Sequence, residues 1–204
     1  MDKNLRERTI VRRATKSDLK DVAKIHKLQF KTHYLGNFSE RLLYHFYESL
    51  LCQDLIFIVS ETDGCVSGFV VGGSLSKINE CTSSFIRQNI SIYFFEILFR
   101  PRTWKKSCEK LLNIIFRKVP PKQSLDCVME YTLLSIAVSP TVQGHNIASF
   151  LISQFDKLMG QFSSCYFLSV KKDNLRALRF YHKNGFMEKV FLNDEVQLTK
   201  EVGK

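Results

Sequence analysis

The chain has 204 residues, 45% apolar and 25% charged, with 30 Lys+Arg against 20 Asp+Glu and a formal net charge of +10. That length suits one domain with a sizeable core, and the apolar content excludes a wholly disordered chain. Nine Gly and four Pro exclude collagen-like or low-complexity sequence, while the excess positive charge points to an anion: nucleic acid, a membrane surface or a phosphate-bearing cofactor.

Residues 9–13 are predicted to form the first strand. Thr15 then stands at an N-cap position with Asp18 three residues on, and Leu19, Val22, Ala23 and His26 follow at helical spacing. Ser39 is the expected cap of a second helix whose apolar face is Leu42, Leu43, Phe46, Tyr47 and Leu50. Residues 55–60 read as a buried strand, Asp63-Gly64 as a hairpin turn, and residues 66–72 as the returning strand. Residues 85–118 read as two helical segments broken at Arg100-Pro101-Arg102, and the apolar run 90–99, which carries Glu96, reads as a core or cap helix. The segment 97–123 holds eight basic residues against the single acid Glu109, a net +7. A strand at 129–138, a turn at 140–144, a helix to about Gly160, a strand at 166–170 and a helix at 174–184 stopped by Gly185 come next. Strands at 187–192 and 196–200 flank Asn193-Asp194. The order predicts a mixed α/β sheet covered by helices, in one domain spanning 1–204 with a helical insert at about 80–123.

The opening residues lack the apolar core of a signal peptide, and no run reaches the ~20 apolar residues of a membrane span. The six cysteines, at 52, 65, 81, 108, 127 and 165, form no CxxC pair. That argues against a metal site or disulfide framework and for a cytoplasmic protein without a membrane partner.

A tight turn followed by an amphipathic helix can hold an anion. In the stretch 134–152, Gly144 has no side chain to block a ligand. His145, Asn146, Ile147, Ala148 and Ser149 present successive backbone N–H groups at a helix start, and Gln143 adds a side-chain amide. The stretch is neither a Walker A loop nor a GxGxxG turn, and alone it is equally an ordinary connection.

A second segment, residues 174–186, changes the weighing. Val138, Pro140, Gln143, Gly144 and Ala148 match V-x-P-x-x-(R/Q)-G-x-G-x-(G/A), and Asn174, Ala177, Phe180, Tyr181, Gly185 and Phe186 match N-x-x-A-x-x-(F/L)-Y-x-x-x-G-F. The pair, in this order and separation, resembles the signatures of the GCN5-related N-acetyltransferase superfamily (GNAT), and Arg13–Leu19 resembles its usual opening. The resemblance spans about residues 9–200, with 80–125 atypical. Asn146 stands where the family has its second Gly; Asn tolerates turn geometry better than other non-Gly residues, so the anion site is expected to survive.

The resemblance implies a mostly antiparallel sheet of six to seven strands whose fourth and fifth strands splay apart. It implies acetyl-CoA as co-substrate and transfer to an amine in a ternary complex. Pantetheine would pair with the open edge of the fourth strand, through Ile136, Ala137 and Val138, and the phosphates with Gln143 to Ser149. Tyr181 would protonate the departing thiolate, a task a phenol suits. Glu130 is the first candidate for the base, with water and His26, His33, His45 or His182 as alternatives. Asn174 would cap its helix or reach pantetheine, beside Ala177.

The acceptor is expected over the first two helices, near Phe30, His33, Tyr34, Leu35 and Asn193-Asp194. The insert's aromatics, Phe85, Tyr93, Phe94, Phe95 and Phe99, would cap a pocket. The layout resembles bacterial acetyltransferases that act on amino sugars, so a small-molecule amine is favoured over a protein N-terminus or lysine. A non-catalytic module remains open: the basic segment could grip nucleic acid, although Trp104 with Lys105-Lys106 is its one aromatic–basic unit, which disfavours that reading. A homodimer stays open.

Overall fold

The strand and helix periods sort onto a seven-stranded sheet with helices on both faces. A computed structural model describes residues 5–31, 35–98, 130–192 and 194–203. Strand β1 (Thr9–Arg13) leads through the short turn Lys16–Asp18 into α1 (Leu19–Gln29), and α2 (Glu40–Ser49) follows. Next come β2 (Leu55–Thr62), β3 (Cys65–Ser74), α3 (Leu75–Gln88) and α4 (Ile90–Leu98). The second half holds β4 (Tyr131–Val138), α5 (Ile147–Met159), β5 (Cys165–Lys171), α6 (Leu175–Lys183), β6 (Met187–Leu192) and β7 (Glu195–Glu201). The sheet order is β1-β2-β3-β4-β5-β7-β6, and every neighbouring pair is antiparallel except β4 with β5.

Local chemistry sets most of these bounds. The Asp18 carboxylate accepts from the Thr15 N–H at 2.7 Å and bidentately from Arg12 at 2.7 and 2.8 Å, fastening the start of α1 to β1. Ser39 Oγ accepts from the Leu42 N–H at 3.1 Å, as an N-cap should. Asp63 and Gly64 both have positive φ, 51° and 79°, the signature of the two-residue hairpin turn. The helical region differs from its sequence expectation. Its first helix begins at Leu75, where the backbone N–H donates to Glu130 O at 2.7 Å, and the break falls at Asn89. The apolar residues Ile78, Cys81, Phe85 and Ile86, at helical spacing, fix α3 against α2. The Glu96 carboxylate explains itself as a partner of Ser39, accepting from its N–H at 2.8 Å and from its hydroxyl. The expected break at 100–102 and the basic residues from Arg100 to Lys122 lie outside the described residues.

Alternate residues of β2 serve two cores: Phe57 and Val59 face α1 to α4, Ile56 and Ile58 face α5. On the first face Tyr47 meets Phe46, Phe57 and Phe69 edge-on or tilted. On the second, Leu151, Ile152, Phe155 and Met159 of α5 pack over β2 and β3.

Candidate functional site: the parted strands and the turn beyond them

β4 and β5 pair only at Thr132 and Phe167, where the Thr132 hydroxyl also donates to Phe167 O at 3.0 Å. Beyond this point β4 keeps β3 alone as its neighbour. The Ser139 N–H donates to Ser67 O at 2.7 Å. Bonded and non-bonded pairs alternate in an antiparallel ladder, so Ala137 and Ser135 turn their backbone groups to β3. Ile136 and Val138 turn theirs to the open edge, where an extended ligand arm can pair with them. Ala137, expected beside them, instead places its side chain in the first core.

A bulge sits at the head of this edge. The register passes from Val71–Ser135 to Gly72–Leu133, leaving Leu134 with no residue opposite. A Cβ on Gly72 would stand 2.3 Å from Thr132 O and 2.7 Å from Phe155 Cζ, so the close approach of β3 and β4 requires glycine. The sequence reading missed Leu134, although Gly72-Gly73 inside a strand was a usable sign of a bulge.

After β4 the chain makes a 3-10 turn at Pro140–Val142 and enters α5. Gly144 has φ 88°, with nothing within 4 Å of where its Cβ would be, and Asn146 is left-handed at φ 60°, ψ 14°. Asn146 therefore adopts the conformation its glycine-like position requires. The His145 N–H donates to Val142 O at 3.4 Å, and Phe150 is the first residue whose N–H donates back to Asn146 O, at 3.0 Å. Among the described residues the N–H groups of Gly144, Asn146, Ile147, Ala148 and Ser149 meet no backbone carbonyl. Five open donors at the positive end of a 13-residue helix suit a phosphate.

The second signature folds as α6, next to this turn. Asn174 Oδ1 accepts from the Ala177 N–H at 3.1 Å, capping the helix and leaving its amide N–H₂ to point elsewhere. Arg176, not singled out from sequence, donates to Gln143 Oε1 at 3.0 Å and so ties α6 to the turn, while the Gln143 amide keeps its donors. The Tyr181 ring packs between Phe180 and Phe186, each 5.3 Å away. Burial pushes its phenol up to about 12, so it is a protonated donor at neutral pH. Among the described residues its hydroxyl makes no hydrogen bond.

The base candidates scatter. Glu130 is exposed just before β4, at the end where β4 and β5 still pair. His45 and His182 each meet a carboxylate, Glu48 and Glu188, both at 3.1 Å. His26 is buried with Nδ1 2.6 Å from Tyr47 Oη. Of the residues expected around the acceptor, Phe30 and Leu35 pack against the first core. Phe85 and Tyr93 are buried in that core, where α3 and α4 lay their apolar faces on α2 and Phe38. Phe95 is exposed; His33, Tyr34, Asn193 and Phe99, and the Phe94 side chain, lie outside the described residues. Among the described residues the cysteines are free, no group of His, Cys, Asp or Glu could hold a metal, and no helix is long and apolar enough to cross a membrane.

Known proteins share this fold. An acetyltransferase of solved structure is 21% identical, with a TM-score of 0.60 over 95% of this chain and 99% of its own. The PaiA N-acetyltransferase of Thermoplasma acidophilum, solved in complex with coenzyme A, is 16% identical, with a TM-score of 0.56 over 95% and 98% of the two chains. YncA of Salmonella typhimurium, solved with its cofactor acetyl-CoA, is 14% identical, with a TM-score of 0.59 over 97% and 95%. At these identities the likeness is one of fold. No curated protein matches the sequence. The sequence profile of the acetyltransferase (GNAT) family matches residues 20–186, a span that takes in the parted strands, the open turn and the Tyr181 helix, and the chain belongs to that family.

Proposed function

We propose that this chain moves the acetyl group of acetyl-CoA to the primary amine of a small molecule, an amino sugar or a nucleotide-linked amino sugar, within a ternary complex. The observation that carries the reading is the open β4 edge ending in a turn with five uncommitted N–H groups. An extended pantetheine arm pairs with Ile136 and Val138, and its pyrophosphate meets the N–H groups from Gly144 to Ser149. An N–H freed where β4 parts from β5 can polarise the thioester carbonyl. Tyr181, kept protonated by burial, gives its proton to the sulfur as the C–S bond breaks. Glu130 is exposed to solvent and can take the amine's proton through water. A cytoplasmic setting agrees with the free cysteines.

Acetyl-CoA binds only the folded chain, so it should raise the melting temperature; no shift at millimolar ligand overturns the cofactor assignment. An acceptor screen that reports free thiol, across amino sugars, nucleotide-linked amino sugars, polyamines and peptides, identifies the amine. Tyr181→Phe should lower turnover about 100-fold while leaving acetyl-CoA affinity within twofold, and unchanged turnover removes Tyr181 from the acid role.

A further inference from the structure

Three polar side chains form a line that the roles above leave unused. Tyr47 is fully buried on α2 among Phe46, Phe57 and Phe69, whose ring centroids lie 5.3, 5.8 and 5.1 Å away. Its hydroxyl stands 2.6 Å from His26 Nδ1 on α1 and 3.3 Å from Ser135 Oγ on β4. The three residues are 21 and 88 positions apart in sequence, so only the fold brings them together. Polar groups in a core of aromatic rings cost desolvation that a Phe at position 47 would avoid. The line runs from the dry interior to a half-buried serine.

Its outer end falls at the reacting region. Ser135 is the first residue past the Leu134 bulge and lies beyond Thr132, where β4 and β5 have parted. Glu130 lies before Thr132, where they still pair. Ser135 and Ala137 share the face of β4 that meets α1 and α2, the face opposite α5.

We propose that Ser135, Tyr47 and His26, in place of Glu130, form a relay that receives the proton of the acceptor amine as the amide bond forms, an inference that rests on the acetyl-transfer reading. The amine nitrogen bonds to the thioester carbon, and the C–S bond breaks with its electron pair passing to sulfur, which takes a proton from Tyr181. The proton shed by nitrogen moves to Ser135 Oγ as the serine hydrogen moves to Tyr47 Oη and the phenolic hydrogen to His26 Nδ1. His26 Nδ1 holds the proton at the inner end of the line. Burial raises the Tyr47 phenol, so Tyr47 passes a proton as a neutral phenol and never stores the charge. When amide and CoA have left, the relay proton returns to water by the same path, and a proton from water restores the Tyr181 phenol. Ser135 is the catalytic contact here; Tyr47 and His26 act through it.

The test uses the full chain with acetyl-CoA and, as acceptors, glucosamine, spermidine and a short peptide with a free N-terminus, reading free thiol in mixtures of H₂O and D₂O. The wild type should give a bowed proton inventory, because several protons move together. Tyr47→Phe should lower kcat 10- to 100-fold, straighten the inventory and leave the KM for acetyl-CoA within twofold. Ser135→Ala should behave likewise, and Ser135→Thr, which keeps the hydroxyl, should recover most of the rate. Ser135 is half-buried, so its variants carry the comparison if Tyr47→Phe does not fold. A wild type with a linear inventory, or a Tyr47→Phe or Ser135→Ala variant with wild-type kcat, overturns the relay and leaves acetyl transfer standing. A wild type that binds acetyl-CoA and transfers neither to these three nor to any other amine of the acceptor screen, nucleotide-linked amino sugars included, overturns both.

Discussion

The two faces of the sheet present their polar atoms by different means. On the face under α5 and α6 the available groups are backbone: the β4 edge at Ile136 and Val138, and the N–H groups of Gly144 and of Asn146 to Ser149. On the face under α1 and α2 they are side chains, His26, Tyr47 and Ser135, set in a ring-packed core. Backbone donors take their positions from a local turn, and they suit a ligand that offers phosphate and an amide-bearing arm. Side chains meeting across the core depend on the packing of two helices on a strand. A fixed donor and a variable acceptor would be served by this division.

Gly72 belongs to both faces, so its substitution should do the most damage. A Val side chain there meets Thr132 O, 2.3 Å from the Cβ position, and Phe155 of α5, neither of which can withdraw freely. Gly72→Val is expected to cost about 3 kcal/mol, read as the urea midpoint. A wild-type midpoint would show that the bulge tolerates separation of β3 and β4, and would uncouple the two faces.

The same division decides how much was legible in the sequence. The turn was legible because its requirements are local: Gly144 with φ 88°, a left-handed Asn146, Pro140 opening the 3-10 turn. Tyr181 stood in a spaced pattern on one helix for the same reason. The hairpin at Asp63-Gly64 and the caps at Thr15 and Ser39 were legible too, each resting on contacts within a few residues. The Tyr47–Ser135 contact spans 88 positions and leaves no local pattern, and Tyr47 reads from sequence only as one apolar-face residue of α2. The start of α3 at Leu75 was missed because Ser74 ends a strand and caps a helix without a turn residue between them. That Phe85 and Tyr93 join the first core was not legible, because aromatic content alone does not say which side of a helix faces α2.

Asp18 offers a cleaner way to load one face alone. Hydrogen bonds from Arg12, opposed by burial and helped by Thr15, hold its carboxyl down to about 2 from an ordinary 3.8. Because the folded value lies below the unfolded one, the stabilisation is complete above about pH 4 and is lost as pH falls through 2. Asp18→Asn should therefore cost about 2 kcal/mol at pH 7 and progressively less between pH 4 and 2. Acetyl-CoA affinity should stay within twofold, since Asp18 anchors α1 to β1 and not the turn before α5. An equal cost at pH 7 and pH 2 would remove the Arg12 pair as the cause, and a large loss of affinity would mean that the two faces are coupled through β1.

The smallest effect falls on the other face, at Asn174, where capping and ligand contact can be separated atom by atom. Its Oδ1 is committed to the Ala177 N–H, while the amide N–H₂ is the part that can reach pantetheine. Asn174→Ala removes both and should lower stability by about 1 kcal/mol. Asn174→Asp keeps the capping oxygen, replaces the donor with a second acceptor and adds a negative charge, so stability should return while CoA affinity falls by at least about two- to tenfold, the worth of one hydrogen bond. Calorimetric titration of both variants with CoA reads the difference. If the Asp variant binds CoA as the wild type does, Asn174 is a cap alone, and the ligand contacts of this face are then backbone with the single side-chain amide of Gln143.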